Sequence, residues 1–214
     1  RFKYIYINIF VYIYLMDSII DLFSNYNRAV IFGKGPTFQN IKKTNIKDLF
    51  ITINQASNEI EDVDMICLND YHNIEKIRID IFKKVKYILI PEYFNVNCKI
   101  NKNYTHLDVK ERLKEIFTGH YIVYNRPDMD RNLKFILLPT NTSSCNSACD
   151  FVCCYLNKFI KKIDFYGVGI LGKDKYYHES FPVGFGTYTK SRLVSIRMNI
   201  IKVCKKNNIE FVFN

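Results

Sequence analysis

Short apolar runs alternate with amphipathic segments from Arg28 onward. Short runs rich in β-branched and aromatic residues are typical of buried strands, whereas apolar positions three or four residues apart are typical of helices. The pattern predicts strands at Ala29–Phe32, Leu49–Ile53, Met65–Leu68, Tyr87–Ile90, Tyr121–Tyr124, Phe135–Leu138, Ile163–Val168 and Ile209–Phe213. It predicts helices at Ile74–Lys84, Leu107–Phe117, Cys145–Ile160 and Lys190–Lys206. Such alternation indicates an α/β domain with a mostly parallel sheet flanked by helices.

The length of the chain limits the number of domains. With 214 residues, of which 48% are hydrophobic, it can bury one sizeable core, so we expect a single domain over residues 16–214. The apolar run near the N-terminus is shorter than the roughly 20 residues that span a bilayer. We therefore expect residues 1–15 to be a non-native or disordered extension, with Met16 as the natural start.

The formal net charge of +10 favours an anionic partner, such as a nucleotide, a nucleic acid or an acidic membrane face. The lysines are spread along the chain, so we expect no specific nucleic acid but allow for peripheral association with the inner face of a membrane.

The seven cysteines are odd in number and lack paired C-x-x-C spacing, which fits reduced thiols in the cytoplasm. Cys145, Cys149 and Cys153 share one helical face, where packing of small residues is favoured over metal binding.

A glycine-containing loop follows the first predicted strand and is the first candidate site. It consists of Gly33, Lys34, Gly35, Pro36 and Thr37, and Phe38 then begins a polar turn or helix. Glycines let a backbone approach a phosphate, and amides at a helix N-terminus point at an anion. The spacing is neither that of a P-loop nor G-x-G-x-x-G, so a plain tight turn remains the alternative.

Polar residues also follow the later strands. In an open parallel sheet, the carboxyl ends of the strands form the ligand crevice. The residues that we expect to point at this crevice are Asn54, Gln55, Asn69, Asp70, Thr142, Ser143 and Ser144. Their amides and hydroxyls can bind a base edge, a ribose or an anionic group, although helix capping is the commoner use of Thr142–Ser144. We therefore predict a nucleotide-like, phosphate-bearing ligand.

The stretch from Gly167 to Thr189 is rich in glycine and aromatic residues, and we interpret it as a lid near the C-terminus. The order G-x-G-P-[ST], N-Q, T-S, I-D-F-Y-G and a Tyr- and His-bearing loop resembles bacterial sialyltransferases of glycosyltransferase family 42. Eukaryotic and viral sialyltransferases have a similar layout, with elements that look like Tyr166–Gly169 and Tyr176–Glu179. The resemblance covers about residues 29–213.

The resemblance implies a Rossmann-like fold and metal-independent transfer of sialic acid from CMP-sialic acid to a glycan hydroxyl, with no cofactor. Gly33, Gly35, Pro36 and Thr37 would line the phosphate and ribose, with Asn54 and Gln55 nearby, and Lys34 would pair with phosphate. Thr142 and Ser143 would face the donor carboxylate or cytidine. Tyr176 or Tyr177 would hydrogen-bond the departing phosphate. His178 would be the general base, although the family's histidine position falls nearer Tyr188.

Two other functions remain open. A pyrophosphokinase of the archaeal pterin type resembles this chain in its G-x-G-P-S loop and nucleotide fold, and its Mg²⁺ would need Asp70 and Asp164. A non-catalytic homologue would bind a nucleotide or sugar without turnover. The D-x-D triplets Asp62–Asp64 and Asp128–Asp130 suggest the metal site of other glycosyltransferases, but Asp64 leads into a predicted strand start, the wrong end of the sheet for a ligand.

Overall fold

The structure is a computed structural model that describes residues 20–70, 73–91, 106–125, 136–138, 143–168 and 190–214. Its strands are β1 Arg28–Phe32, β2 Asp48–Ile53, β3 Met65–Cys67, β4 Tyr87–Pro91, β5 His120–Asn125, β6 Ile136–Leu137, β7 Lys162–Tyr166 and β8 Glu210–Phe213. Its α-helices are α1 Ile79–Lys84, α2 His106–Ile116, α3 Ser144–Tyr155 and α4 Lys190–Lys206, and a short 3₁₀ turn spans Asn54–Asn58. The N-terminal extension and nearly all of the predicted lid lie outside the described residues.

The eight strands form one sheet in the order β6-β5-β4-β3-β2-β1-β7-β8. Every strand pair is parallel, which confirms the predicted α/β, Rossmann-like architecture. The chain builds outward from β1 through β6 and then returns to place β7 on the other side of β1. The strand order therefore reverses at β1, and ligands of open α/β sheets bind at such switch points.

Alternate residues of the central strands face opposite layers, as the two-residue period of a strand requires. Ile31 and Ile51 belong to a buried cluster with residues of α3 and α4. Ile66 and Ile88 pack on the opposite side, in a cluster that includes α1 and the end of α2. Because both faces of the sheet are covered, its central strands read as continuous apolar runs in the sequence.

Three element boundaries differ from the sequence prediction by two or more residues. The predicted helix Ile74–Lys84 begins only at Ile79, because Arg78 is extended and its amide donates to Asn58 Oδ1 at 3.1 Å. The helix predicted to reach Ile160 ends at Tyr155, and Leu156 leaves helical geometry. The strand predicted to reach Val168 ends at Tyr166, because Gly167 adopts a positive φ of 63°.

Charged side chains at the amino edge, where the strands begin, are paired with one another. Asp64 is buried and accepts from the Tyr26 hydroxyl at 3.1 Å, from Lys43 at 2.5 Å and from the Phe50 amide at 3.0 Å, and Lys86 lies 3.1 Å away. Burial, and then the charge of Asp64, raise the pKa of Tyr26. Asp64 therefore stabilises the amino edge, at the end of the sheet that the sequence assigned to it.

A second ion-pair group at the same edge includes a predicted Mg²⁺ ligand. Arg28 pairs with Asp48, and its Nη1 lies 3.2 Å from Asp164 Oδ2. Lys162 Nζ lies 3.9 Å from the other oxygen of Asp164. The carboxylate of Asp164 is therefore directed to cations at the amino edge.

Within the described ranges, no helix is both long enough and apolar enough to cross a bilayer.

Candidate functional site

The carboxyl edge of the sheet brings together the ends of β1, β2 and β3, which are neighbours in the strand order. Lys34 follows β1, Gln55 follows β2 and Asn69 follows β3. The strand ends that the sequence predicted to converge are thus side by side, next to the reversal of strand order between β1 and β7. A ligand bound at this edge would contact several of them at once.

The glycine loop after β1 is packed directly against the segment after β7. Gly33 N donates to Tyr166 O and Gly35 N donates to Gly167 O, each at 2.8 Å, and Gly167 N donates to Thr37 Oγ1 at 3.1 Å. A Cβ at Gly33 would lie 2.4 Å from Gly167 O, so this position excludes any side chain. The glycines thus allow two backbones to touch, a reason that the sequence prediction did not include. Lining of a phosphate or ribose by Gly33, Gly35, Pro36 and Thr37 stays a prediction.

The sequence predicted that Phe38 begins either a polar turn or a helix, and no helix is formed there. Residues 36–37 form a turn, and residues 38–45 have no regular secondary structure. Phe38 instead turns inward, its amide donating to Gly35 O at 2.9 Å, and its ring is buried with Phe32 and Phe50. The helix N-terminus at this side of the sheet belongs to α3, which packs against β1, β2 and β3.

Lys34 starts a chain of polar contacts along the carboxyl edge. Its ammonium donates to Gln55 Oε1 at 2.6 Å, and Gln55 Nε2 donates to the buried Asn73 Oδ1 at 2.8 Å. Burial, and then the positive charge of Lys76, lower the pKa of Lys34 to about 8. The Asp70 carboxylate acts in the opposite direction. Lys34 therefore loses its proton more readily than an ordinary lysine. An anion bound beside it would raise its pKa again and favour the charged form.

Asn54 occupies a strained position at the end of β2. Its φ is +54°, in the left-handed region that non-glycine residues rarely adopt. Its side chain is only 9% exposed, and its Oδ1 has no hydrogen-bond partner among the described residues. A buried acceptor left unpaired costs about 1–3 kcal/mol. Strain and unpaired polar groups of this kind cluster at ligand sites.

The first turn of α3 completes the edge. Ser143 caps the helix, because its Oγ accepts from Asn146 N at 3.2 Å and donates to Asn146 Oδ1 at 2.8 Å. Cys67 Sγ donates to Ser144 O at 3.3 Å. Burial raises the pKa of Cys145 to about 12, while the charge of nearby Lys34 lowers it in part. Capping, the commoner use of this serine, is thus what the structure shows.

Asn69 connects α3 to the outer strands. Its Oδ1 accepts from the Tyr124 hydroxyl at 2.5 Å, and its Nδ2 lies 3.5 Å from Ser147 Oγ. All three side chains are buried. Tyr124, Ser147 and Asn73 were missed by the sequence prediction. Asn73 lies in the polar segment after β3 and Tyr124 in the last residues of β5, so a wider search of strand ends would have found both.

The predicted site residues divide into two groups. The structure brings together Gly33, Lys34, Gly35, Pro36, Thr37 and Gly167 at the β1/β7 loops, and Asn54, Gln55, Asn69, Ser143 and Ser144 at the ends of β2 and β3 and at the start of α3. The remaining predicted residues, Thr142, Tyr176, Tyr177, His178 and Tyr188, lie outside the described residues. The fold and this edge define a Rossmann-like α/β protein with buried polar groups at its switch point. No protein-family model, curated protein or solved structure matches the chain.

Proposed function

We propose that the chain is a sialyltransferase-like glycosyltransferase that binds CMP-sialic acid at the carboxyl edge and transfers sialic acid to a glycan hydroxyl without a metal. Three features of the described residues support binding of a nucleotide there: the position of the edge at the switch point, the half-buried cation Lys34, and the unpaired amide oxygen of Asn54. The resemblance of the motif order to sialyltransferases selects the donor among nucleotides.

Lys34 suits the phosphate of the donor. An anion beside it compensates the charge that burial and Lys76 disfavour, and charge-assisted hydrogen bonds to phosphate are strong. The N-terminus of α3, at the same edge, adds a weaker positive potential. Both effects favour a ligand with negative charge at this position.

Asn54 carries the proposal, because its buried Oδ1 calls for a donor and not for an anion. A ribose hydroxyl and the exocyclic amino group of cytosine are both donors. A ligand that satisfies Lys34 must be anionic, and one that satisfies Asn54 Oδ1 must offer O–H or N–H. A nucleotide has both groups in one molecule, whereas inorganic phosphate lacks a nucleoside to reach the second position.

The chemical step follows the resemblance. Tyr176 or Tyr177 stabilises the phosphate charge that develops as the bond to sialic acid breaks, and His178 or the Tyr188 position takes the proton of the acceptor hydroxyl. The glycan acceptor binds on the lid side.

The alternative pyrophosphokinase would require a pair of carboxylates for Mg²⁺, and Asp164 of the predicted pair is paired with Arg28 at the amino edge.

The proposal is tested by the melting temperature of the chain with CMP, CDP, ATP and GTP, each with and without Mg²⁺. A ligand that binds only the folded state raises this temperature. We expect a shift with CMP that does not depend on Mg²⁺. A shift with ATP that requires Mg²⁺ would instead identify the kinase.

Two variants and a matched control test whether the melting-temperature shift arises from CMP bound at the carboxyl edge. Lys34→Met removes the cation and Asn54→Gly removes the amide, and each should weaken CMP binding by roughly 10- to 100-fold, the equivalent of one lost hydrogen bond to a charged or buried group. Lys83→Met removes an equal charge from an exposed position of α1 and should bind like the unaltered chain. Equal binding by all three variants would place CMP elsewhere.

Turnover is tested separately, by release of CMP from CMP-sialic acid in the presence of glycan acceptors. His178→Ala and Tyr188→Phe distinguish the two positions proposed for the base, since loss of the true base lowers the rate by about 10²–10⁴-fold. CMP binding without any turnover would identify the non-catalytic homologue.

A further inference from the structure

Three thiols meet between α3 and α4, away from the carboxyl edge. Cys149 and Cys153 lie one turn apart on α3, and Cys204 lies near the end of α4. The Sγ atoms are separated by 3.8 Å between Cys149 and Cys153, and by 3.7 Å from each of them to Cys204. All three residues have 0% exposure. The sulfurs therefore form a nearly equilateral triangle inside the protein.

The size of this triangle matches a metal–thiolate site. Thiolates that bind a tetrahedral Zn²⁺ at about 2.3 Å lie about 3.8 Å from one another. A trigonal-planar site with bonds of about 2.3 Å would need sulfurs about 4.0 Å apart, only slightly more than observed. A cation can thus bind all three sulfurs with displacements of a few tenths of an ångström or less.

The three sulfurs are enclosed, so a cation that binds them must compensate the charge of thiolates in the interior. The thiolate and not the thiol is the metal ligand, so binding releases protons to solvent. A divalent or monovalent cation offsets the cost of placing that negative charge in the interior.

We propose that Cys149, Cys153 and Cys204 bind one thiophilic d¹⁰ cation, Zn²⁺ or Cu⁺, that links α3 to α4. Soft thiolate ligands select these ions from the metals of the cell. The link has a structural consequence, because the first turn of α3 contributes to the carboxyl edge and Asn146 Nδ2 already donates to Ile196 O of α4 at 3.2 Å. The metal fixes the two helices to each other and has no part in the transfer reaction.

The test uses the full chain, reduced and freed of metal without oxygen, and titrated with Zn²⁺, with Co²⁺ as its spectroscopic substitute, and with Cu⁺ against a competing chelator. We expect one equivalent of metal to bind, with a thiolate-to-cobalt charge-transfer band in the Co²⁺ arm if the site accepts tetrahedral geometry. Binding in the Cu⁺ arm alone would identify the cuprous ion. At metal concentrations 100 times Kd, the melting temperature should rise by roughly 5–10 °C.

Variants assign the metal to the three thiols. Cys204→Ala and Cys153→Ser should each lose at least tenfold in affinity, whereas Cys154→Ser, a change of the neighbouring half-buried thiol on the same helix, should bind as the unaltered chain does. If Cys204→Ala fails to fold, Cys153→Ser and the metal count of the unaltered chain still decide the question. Absence of stoichiometric binding, or binding that both variants keep, would show that the three thiols are only close-packed core residues.

Discussion

At the amino edge of the sheet, the buried Asp64 carboxylate has two lysines, a tyrosine hydroxyl and a backbone amide around it. At the carboxyl edge, the equally enclosed Asn54 amide oxygen has no partner within the described part of the chain, and its backbone is strained. The same sheet thus satisfies its polar groups at one end and leaves one costly at the other. The contrast supports the ligand that we propose for the second edge.

The largest effect is expected at the amino edge. Asp64→Ala leaves the Lys43 ammonium partly buried without its carboxylate and should lower the free energy of unfolding by about 3–5 kcal/mol. The measurement is urea denaturation. Asp62→Ala, in the same D-x-D triplet but exposed, should change stability by no more than about 0.5 kcal/mol. Similar losses in both variants would remove the contrast between paired and exposed carboxylates.

A smaller effect is expected from Lys34, and it depends on pH. The pKa of Lys34 is about 8 in the folded chain against an ordinary value of 10.5. Below pH 8 the folded state holds an unfavourable, partly buried ammonium, so Lys34→Met should be more stable than the unaltered chain by about 2 kcal/mol, after allowance for partial exposure. Between pH 8 and 10.5 the unfolded lysine still holds its proton while the folded one has lost it. The unaltered chain should therefore gain stability over this interval until the difference disappears.

Urea denaturation of both chains at a series of pH values measures this difference. Lys83→Met, which removes an exposed lysine, is the matched control and should change stability by no more than about 0.5 kcal/mol. A difference for Lys34→Met that stays constant across the pH series would mean that its ammonium is fully solvated in the folded chain.

The smallest effect is expected at Asn54, where substitution should stabilise the chain, whereas substitution of Asp64 should destabilise it. Asn54→Gly removes both the strain of the positive φ and the unpaired oxygen, so we expect the free energy of unfolding to rise by about 1 kcal/mol while CMP binding weakens. Asn208→Gly is the matched control, because Asn208 has a similar φ of +55° but is exposed. It should gain only about 0.5 kcal/mol, from the backbone alone. If Asn54→Gly destabilises the chain, the buried amide is a packing element and the comparison of the two edges fails.

Much of the fold could be predicted because buried parallel strands appear as apolar runs. The predicted strands all overlap observed ones, and α4 was predicted with its observed bounds. The error at Ile74–Lys84 arose because apolar residues at Ile74, Ile77 and Ile81 keep helical spacing although Ile74 and Ile77 lie in turns. Periodicity indicates which side chains face the core, and a turn can bury the same residues.

Less of the candidate site could be predicted, because its contacts join distant parts of the chain. The polar ends of β1, β2 and β3 could be identified because strand ends are local features of the sequence. The contact of Tyr124 with Asn69 joins residues 55 apart, and the glycine loop fits against Gly167 after β7. The cysteines show the same limit, since helical spacing grouped Cys145 with Cys149 and Cys153, whereas the structure replaces Cys145 with Cys204 from another helix.

The position of β1 between β2 and β7 has a consequence for synthesis of the chain on the ribosome. Arg28 opens β1, and its partner Asp164, on the neighbouring strand β7, is 136 residues further along. At about 5–20 residues per second, β1 is made roughly 7–30 s before β7. During that time one side of β1, most of whose residues are buried in the finished sheet, has no partner and is open to pairing with another nascent chain. Newly made protein therefore passes through a period of vulnerability to aggregation that ends only when β7 is inserted.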